Sequence, residues 1–257
     1  MTPDSTQSDT ASVQQAANET DYVRDTIKRA RFVLLDFDGP ICRLFAGLSA
    51  AQIADEQIRW LAARGLHGLL TDDVRDETDP FAVLRAVDVR RPHSDLVAEL
   101  EERLTQDELS AVPSAWPTPY ADAVIRTWKA TGAGLAITTN NSARTADRYL
   151  ESRGLTACFT PHVYGRTDDL HLLKPHPSVL NRALTAMGAE RSATVMVGDA
   201  PSDFRAAREA GVAFLGFARN DRKAKLLREA GAPDECLVPS WERVLRLLRQ
   251  YGKATGA

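Results

Sequence analysis

The sequence predicts an α/β protein, a doubly wound, Rossmann-like parallel sheet interrupted early by a helical insert. Short apolar runs of the kind buried on both faces recur at Phe32-Val33-Leu34-Leu35, Leu135-Ala136-Ile137, Thr194-Val195-Met196-Val197 and Val212-Ala213-Phe214-Leu215. Each run gives way to polar or glycine residues and then to a helical stretch, the alternation that builds a parallel sheet with helices on both faces. Between about Leu48 and Val112 the strand-like runs vanish and apolar residues recur at helical spacing: Ile53, Ile58 and Leu61, then Phe81 and Leu84, then Leu96, Leu100 and Leu104.

In chain order, residues 1–20 carry Ser, Thr, Gln, Asp and Ala with almost no large apolar side chains. They cannot offset the entropy of ordering and read as a disordered leader. Helical patterning starts at Tyr22, and the first strand ends abruptly at Asp36-Phe37-Asp38-Gly39-Pro40. After the insert, the proline-rich segment from Val112 to Pro119 reads as a stiff linker back to the core. Helices are then expected over Asp122 to Thr131, Ser142 to Arg153, Pro177 to Met187, Ser202 to Ala210 and Asp221 to Ala230, several of them closed by a glycine. The resulting division is a core of residues 21–47 and 113–257 around an insert of residues 48–112.

Composition narrows the function classes. The 257 residues are 44% hydrophobic with a formal net charge of −3, and the charges are well mixed. No basic arm is present to track a phosphate backbone, so a nucleic-acid polymer is not the expected partner. The three cysteines, Cys42, Cys158 and Cys236, are far apart and write neither a disulfide framework nor a metal knuckle, which fits a reducing cytoplasm. No apolar run approaches a membrane span, and no membrane partner is expected.

In a doubly wound sheet, ligands bind beyond the carboxyl ends of the strands. The residues gathered there are Asp36 and Asp38 after the first strand, Thr139, Asn140, Asn141 and Ser142 after the second, and Gly198, Asp199 and Asp203 near the end of the next. Lys174, just before a helix opened by Pro175-His176-Pro177, reaches the same rim. Carboxylates converging at one sheet edge repel one another unless a cation lies among them, and an all-oxygen site suits Mg²⁺. Lys174, the Thr139 hydroxyl and backbone N–H groups at the helix start near Asn141 offer complementary charge to a phosphate. A carboxylate can attack phosphorus to give an aspartyl-phosphate, while a second carboxyl group protonates the leaving oxygen and later activates water.

The stretches LLDFDGPI (Leu34 to Ile41), LAITTN (Leu135 to Asn140), LLKPHP (Leu172 to Pro177) and VMVGDAPSDFRAAREAG (Val195 to Gly211) resemble, in order, the four motifs of the haloacid-dehalogenase superfamily. The resemblance covers about residues 31–47 and 116–217, and the insert lies where that family places a C1-type cap. It implies Asp36 as nucleophile and Mg²⁺ ligand, and Asp38 as acid/base with its carbonyl on the metal. It further implies Thr139, Asn140 and Lys174 around the phosphoryl group, Asp199 as the second carboxylate ligand of the metal, and Asp203 as the residue behind the metal, or occasionally on it, that also steadies Lys174. Family dehalogenases and phosphonatases lack an aspartate at position 38, so its presence points to phosphomonoester chemistry.

The resemblance thus implies a Mg²⁺-dependent phosphatase acting on a small phosphorylated metabolite such as phosphoglycolate, a sugar phosphate or a nucleotide. Transfer to a second hydroxyl, as in a phosphotransferase or phosphomutase, is the alternative, and a non-catalytic binding protein that keeps the fold is a third. Oligomeric state is left open. Arg85, Arg90 and Arg91 in the insert read first as solvated helix charges and second as a grip on an anionic substrate tail. The five histidines show no metal-ligand spacing and are expected at the surface or in packing.

Overall fold

The computed structural model describes residues 22–76 and 78–254, so the leader expected over 1–20 lies outside the described residues. Helix α1 (22–29) delivers the chain to β1 (Phe32–Leu35), followed by β2 (Cys42–Arg43). The next segment holds α2 (Ala50–Ala63), α3 (Asp72–Arg75), α4 (Pro80–Arg90) and α5 (Asp95–Ala111), and it returns through β3 (Trp116–Pro117). Then come α6 (Ala121–Ala130), β4 (Gly134–Thr138), α7 (Ala143–Arg153), α8 (Thr156–Phe159) and β5 (Val163–Tyr164). The chain continues through α9 (Ser178–Met187), β6 (Thr194–Gly198), α10 (Pro201–Ala210), β7 (Ala213–Phe217), α11 (Asp221–Glu229), β8 (Leu237–Val238) and α12 (Trp241–Ala254).

Six strands form one sheet in the order β5-β4-β1-β6-β7-β8, with every neighbouring pair parallel. Renumbered among themselves in chain order, they run 3-2-1-4-5-6, the doubly wound arrangement whose ligand crevice opens where the order reverses. That switch falls between β1 and β6, so the residues following these two strands meet. Side chains alternate across the sheet as the strand period requires. Val33, Leu35, Leu135, Ile137, Val195 and Val197 enter one apolar layer with Trp128 and Trp241. Leu34, Ala136 and Met196 enter the opposite layer with Leu180, Phe204 and Phe214.

The inserted helices pack around Ile53, Leu61, Val83, Leu84, Val87, Leu100 and Leu104, a cluster that Leu170 and Leu173 of the loop before α9 complete. Their starts are locally encoded. Ser49 and Gln52 form a reciprocal capping box on α2, and Ser94 accepts the Val97 N–H on α5, each cap stabilising its helix by about 1 kcal/mol.

The segment read as a stiff linker is part of a small ribbon, with Cys42 opposite Pro117 and Arg43 opposite Trp116 in antiparallel pairing. Proline is tolerated on such an edge, where no ladder donor is needed. The two-residue strands β5 and β8 and the final helix α12 were not expected from the sequence. No helix of the described residues is long and apolar enough to cross a membrane.

Candidate active site

The loop after β1 is held from several sides. Asp38 Oδ1 accepts the Leu44 N–H at 2.9 Å, the Thr118 hydroxyl donates to the Gly39 carbonyl at 2.7 Å, and the Trp241 indole N–H donates to the Pro40 carbonyl at 2.6 Å. Gly39 has φ +123°, and a Cβ there would lie 2.4 Å from the Asp199 carboxyl carbon. Only glycine allows both that backbone conformation and that approach. The loop after β6 is built on the same economy of space: a Cβ on Gly198 would come within 2.3 Å of Asp203.

The structure brings the expected residues together. Lys174 is buried, and its Nζ donates to Asp36 Oδ1 at 2.8 Å, to Asp203 Oδ1 at 2.6 Å and to the Thr138 carbonyl at 2.9 Å. Asp203 is the third residue of α10, and its Oδ2 accepts the N–H groups of Asp199 (3.1 Å) and Ala200 (3.0 Å). Asn140 brackets the Lys174 backbone in both directions, donating to its carbonyl at 3.0 Å and accepting its N–H at 2.8 Å. Thr139 Oγ1 accepts the Asn141 N–H and donates to Asn141 Oδ1, both at 3.1 Å.

Two of the backbone donors expected near Asn141 are already engaged. The Asn141 N–H goes to Thr139, and the Ser142 N–H donates to Glu108 Oε2 at 2.8 Å. A carboxylate from the insert therefore occupies the start of α7, where an anion was anticipated.

A cavity of about 350 Å³ is lined on the core side by Asp36, Asp38, Thr139, Asn140, Asn141, Lys174, Asp199, Ser202, Asp203 and Lys223, and on the insert side by Asp79, Phe81 and Arg85. Arg85 also lies 3.5 Å from Asp79. Lys223, in the first turn of α11, was not singled out in the sequence, where it is one of several charges on a polar helix. Its Nζ lies 2.8 Å from Asp199 Oδ2. Cys42 is a packed thiol raised well above its usual range, chiefly by burial.

Burial dominates the electrostatics. It raises Asp36 to about 7, with Asp203 adding to the effect and Lys174 opposing it. It raises Asp38 to about 6 against the stabilising Leu44 N–H, and Asp199 to about 6 against Lys223. For Lys174 burial pulls downward, but Asp203 and Asp36 more than offset it and the ammonium stays charged.

Oxygens of Asp36, Asp199 and Asp203 lie within 4.8 Å of one another. With all four of its carboxyl groups ionised, this floor faces the ammonium groups of Lys174 and Lys223 with an excess of two negative charges. A hard divalent cation fits that donor set and that charge. Asp203 already accepts three donors, so Asp36 and Asp199 are the better placed pair to hold one.

A family model described as haloacid dehalogenase-like hydrolase matches residues 83–217, just over half of the chain. The chain is 27% identical to phosphoglycolate phosphatase of Neisseria meningitidis over 84% of its own length and 90% of that protein. It is 36% identical to pyrophosphatase PpaX of Halalkalibacterium halodurans over 37% of its length, a match spanning 44% of that protein. In fold it is similar to the crystal structure of a predicted phosphoglycolate phosphatase from Haemophilus somnus, with a TM-score of 0.62 at 17% identity over 85% of this chain and 98% of that one. The three motif-bearing strand ends, the loop that carries Lys174 and the family match lead to one assignment: this chain belongs to the haloacid dehalogenase-like hydrolase family.

Proposed function

We propose that this chain is a Mg²⁺-dependent phosphatase that hydrolyses a small phosphomonoester through an aspartyl-phosphate on Asp36. The observation that carries the reading is the triad of Lys174, Asp36 and Asp203 at the sheet's switch point, with Asp38 two residues beyond Asp36 on the same cavity wall. The names of the relatives, phosphoglycolate phosphatase and pyrophosphatase, support phosphate-ester or phosphoanhydride chemistry. Bound between Asp36 and Asp199, Mg²⁺ would supply charge neutralisation at the phosphoryl oxygens.

In the first step an Asp36 carboxylate oxygen attacks phosphorus and the bond from phosphorus to the leaving oxygen breaks. Asp38, in its acid form, gives its proton to that oxygen. In the second step Asp38, now a carboxylate, takes a proton from water as the water oxygen attacks phosphorus, releasing inorganic phosphate and restoring Asp36. An acid raised to about 6 by burial is suited to both roles near neutral pH. Lys174, giving up its bond to Asp36, and Thr139, turning its hydroxyl from Asn141, would hold the phosphoryl oxygens, and Asn140 fixes the Lys174 backbone that aims the ammonium. The inserted helices act as a cap that excludes bulk water, and Phe81 and Arg85 are its contribution to the cavity wall.

The test is phosphate release from a panel of phosphomonoesters with Mg²⁺. The expected result is free phosphate and free alcohol in equal amounts, lost on chelation. An isomeric phosphate ester formed without net release would favour phosphoryl transfer to a second hydroxyl instead.

A further inference from the structure

The junction between the insert and the loop after β4 is closed by one fully buried carboxylate, Glu108, in the last turns of α5. Its two oxygens receive four donors. Oε1 accepts from Asn141 Nδ2 at 3.2 Å and from the Arg166 guanidinium at 2.9 Å. Oε2 accepts the Ser142 backbone N–H at 2.8 Å and the Thr145 hydroxyl at 3.2 Å. The Arg166 side chain is itself wholly buried, and it also donates to the Asn140 carbonyl at 3.0 Å and to Glu101 Oε1 at 2.9 Å. The partners of Glu108 thus belong to Asn141 and Ser142 of the loop that carries the cavity-lining side chains, to the first turn of α7, and to Arg166, which ties in the Asn140 carbonyl.

Four donors converging on one group demand an acceptor at both ends. A carboxylate meets that demand, whereas the isosteric amide must turn its NH₂ against one of the two donor pairs. Glu101 provides an internal contrast, because it shares Arg166 but is partly exposed and its hydrogen bonds to Arg166 and Thr105 do not reach the loop.

We infer that Glu108 is a positioning residue: the insert's last helix sets the geometry of the loop Thr139 to Ser142 through this carboxylate, so that phosphate affinity depends on a residue that does not line the cavity. This rests on the functional reading above for its ligand, though not for the loop itself. Because Ser142 and Asn141 donate to Glu108, the loop is ordered before phosphate arrives, and the insert and the phosphate site are coupled through one group.

The experiment compares E108Q with E101Q in the full chain. Inorganic phosphate binding is measured by calorimetry with Mg²⁺, and amide hydrogen exchange over residues 139–145 is measured without ligand. E108Q is expected to raise the phosphate dissociation constant by about tenfold, equivalent to ~1.4 kcal/mol, and to speed exchange over 139–145. E101Q is expected to leave both near wild type. Equal phosphate affinity in folded E108Q, or the same loss in E101Q, overturns the proposal.

Should E108Q fail to fold, T145V deletes one donor to Oε2 in near-isosteric form and is expected to weaken phosphate by about threefold with faster exchange at Asn141 and Ser142. No change in either measurement contradicts the inference. If wild type neither binds nor releases phosphate, the functional reading falls, and the exchange comparison still decides the role of Glu108.

Discussion

Two buried ionic clusters lie on either side of the loop after β4, and they are built to opposite ends. In the first, Lys174 bridges Asp36 and Asp203 while Asp38 and Asp199 crowd the same cavity, and burial lifts three of these carboxyl groups well above their usual range. Negative charge exceeds positive, and the cluster is left in need of a cation and able to exchange a proton. In the second, Glu108 is surrounded by N–H and O–H donors on both oxygens. Nothing there is left to react. The same residue types therefore serve chemistry where their hydrogen bonding and charge are incomplete and serve position where they are complete.

The sharpest way to break this comparison is to remove a group from the reactive cluster. Asp36→Asn keeps shape but removes the oxygen proposed as nucleophile, and kcat is expected to fall on the order of 10⁴-fold or more. Circular dichroism should show an unchanged fold. Activity near wild type would mean the incomplete cluster is not the reacting one.

Lys174→Met should have the next largest effect. It leaves Asp36 and Asp203 buried without their cation, at a cost of about 3–5 kcal/mol. Since protonation relieves that cost, the variant's melting temperature is expected to be closer to wild type at pH 5 than at pH 8, and a pH-independent gap would contradict the account.

Wild type stripped of divalent metal should show a milder form of the same dependence. Asp36, Asp38 and Asp199 have folded pKa values raised above the ordinary 3.8, to about 7, 6 and 6. The folded chain therefore holds protons that the unfolded chain releases. Their contribution to stability is fully present below about pH 4 and is lost as pH rises through 6 to 7. A melting temperature lower by on the order of 5 °C at pH 8 than at pH 5 is expected. Mg²⁺ should restore more at the higher pH, as differential scanning calorimetry can check.

Lys223→Met is the smallest of the series. Freed of its ammonium partner, Asp199 should bind Mg²⁺ several-fold more tightly, a change of about 1 kcal/mol for a partly exposed pair. Calorimetric titration with Mg²⁺ would register it, and weaker binding would show that Lys223 assists the metal instead of competing with it.

The contrast between the clusters also explains what could be read in advance. Asp36, Asp38, Asp199 and Asp203 stand within a few residues of four-residue apolar runs, so strand end and carboxylate are legible together. Lys174 is legible only through its neighbours Leu172 to Pro177, since a lone lysine before a proline signals little. Glu108 and Arg166 escaped because their partners are remote in sequence: Glu108 looks like one more acid on the polar face of α5, and its buried orientation is set by a loop 34 residues away. Strands β5 and β8 escaped because two residues carry no readable alternation. Helix α12 did carry a signal, in the spacing of Trp241, Val244, Leu245 and Leu248, all buried. The Trp116–Pro117 strand was hidden by Pro117 and the prolines that flank it, which suit an edge as well as a linker.

In the proposed mechanism the phosphoryl group passes through Asp36. Rapid mixing with a turned-over phosphomonoester and Mg²⁺, a borohydride quench that reduces an acyl phosphate to an alcohol, and peptide mass spectrometry would locate it directly. Homoserine is expected at position 36, with aspartate at the other positions. Reduction at a different carboxylate, or none while phosphate is still released, would contradict it.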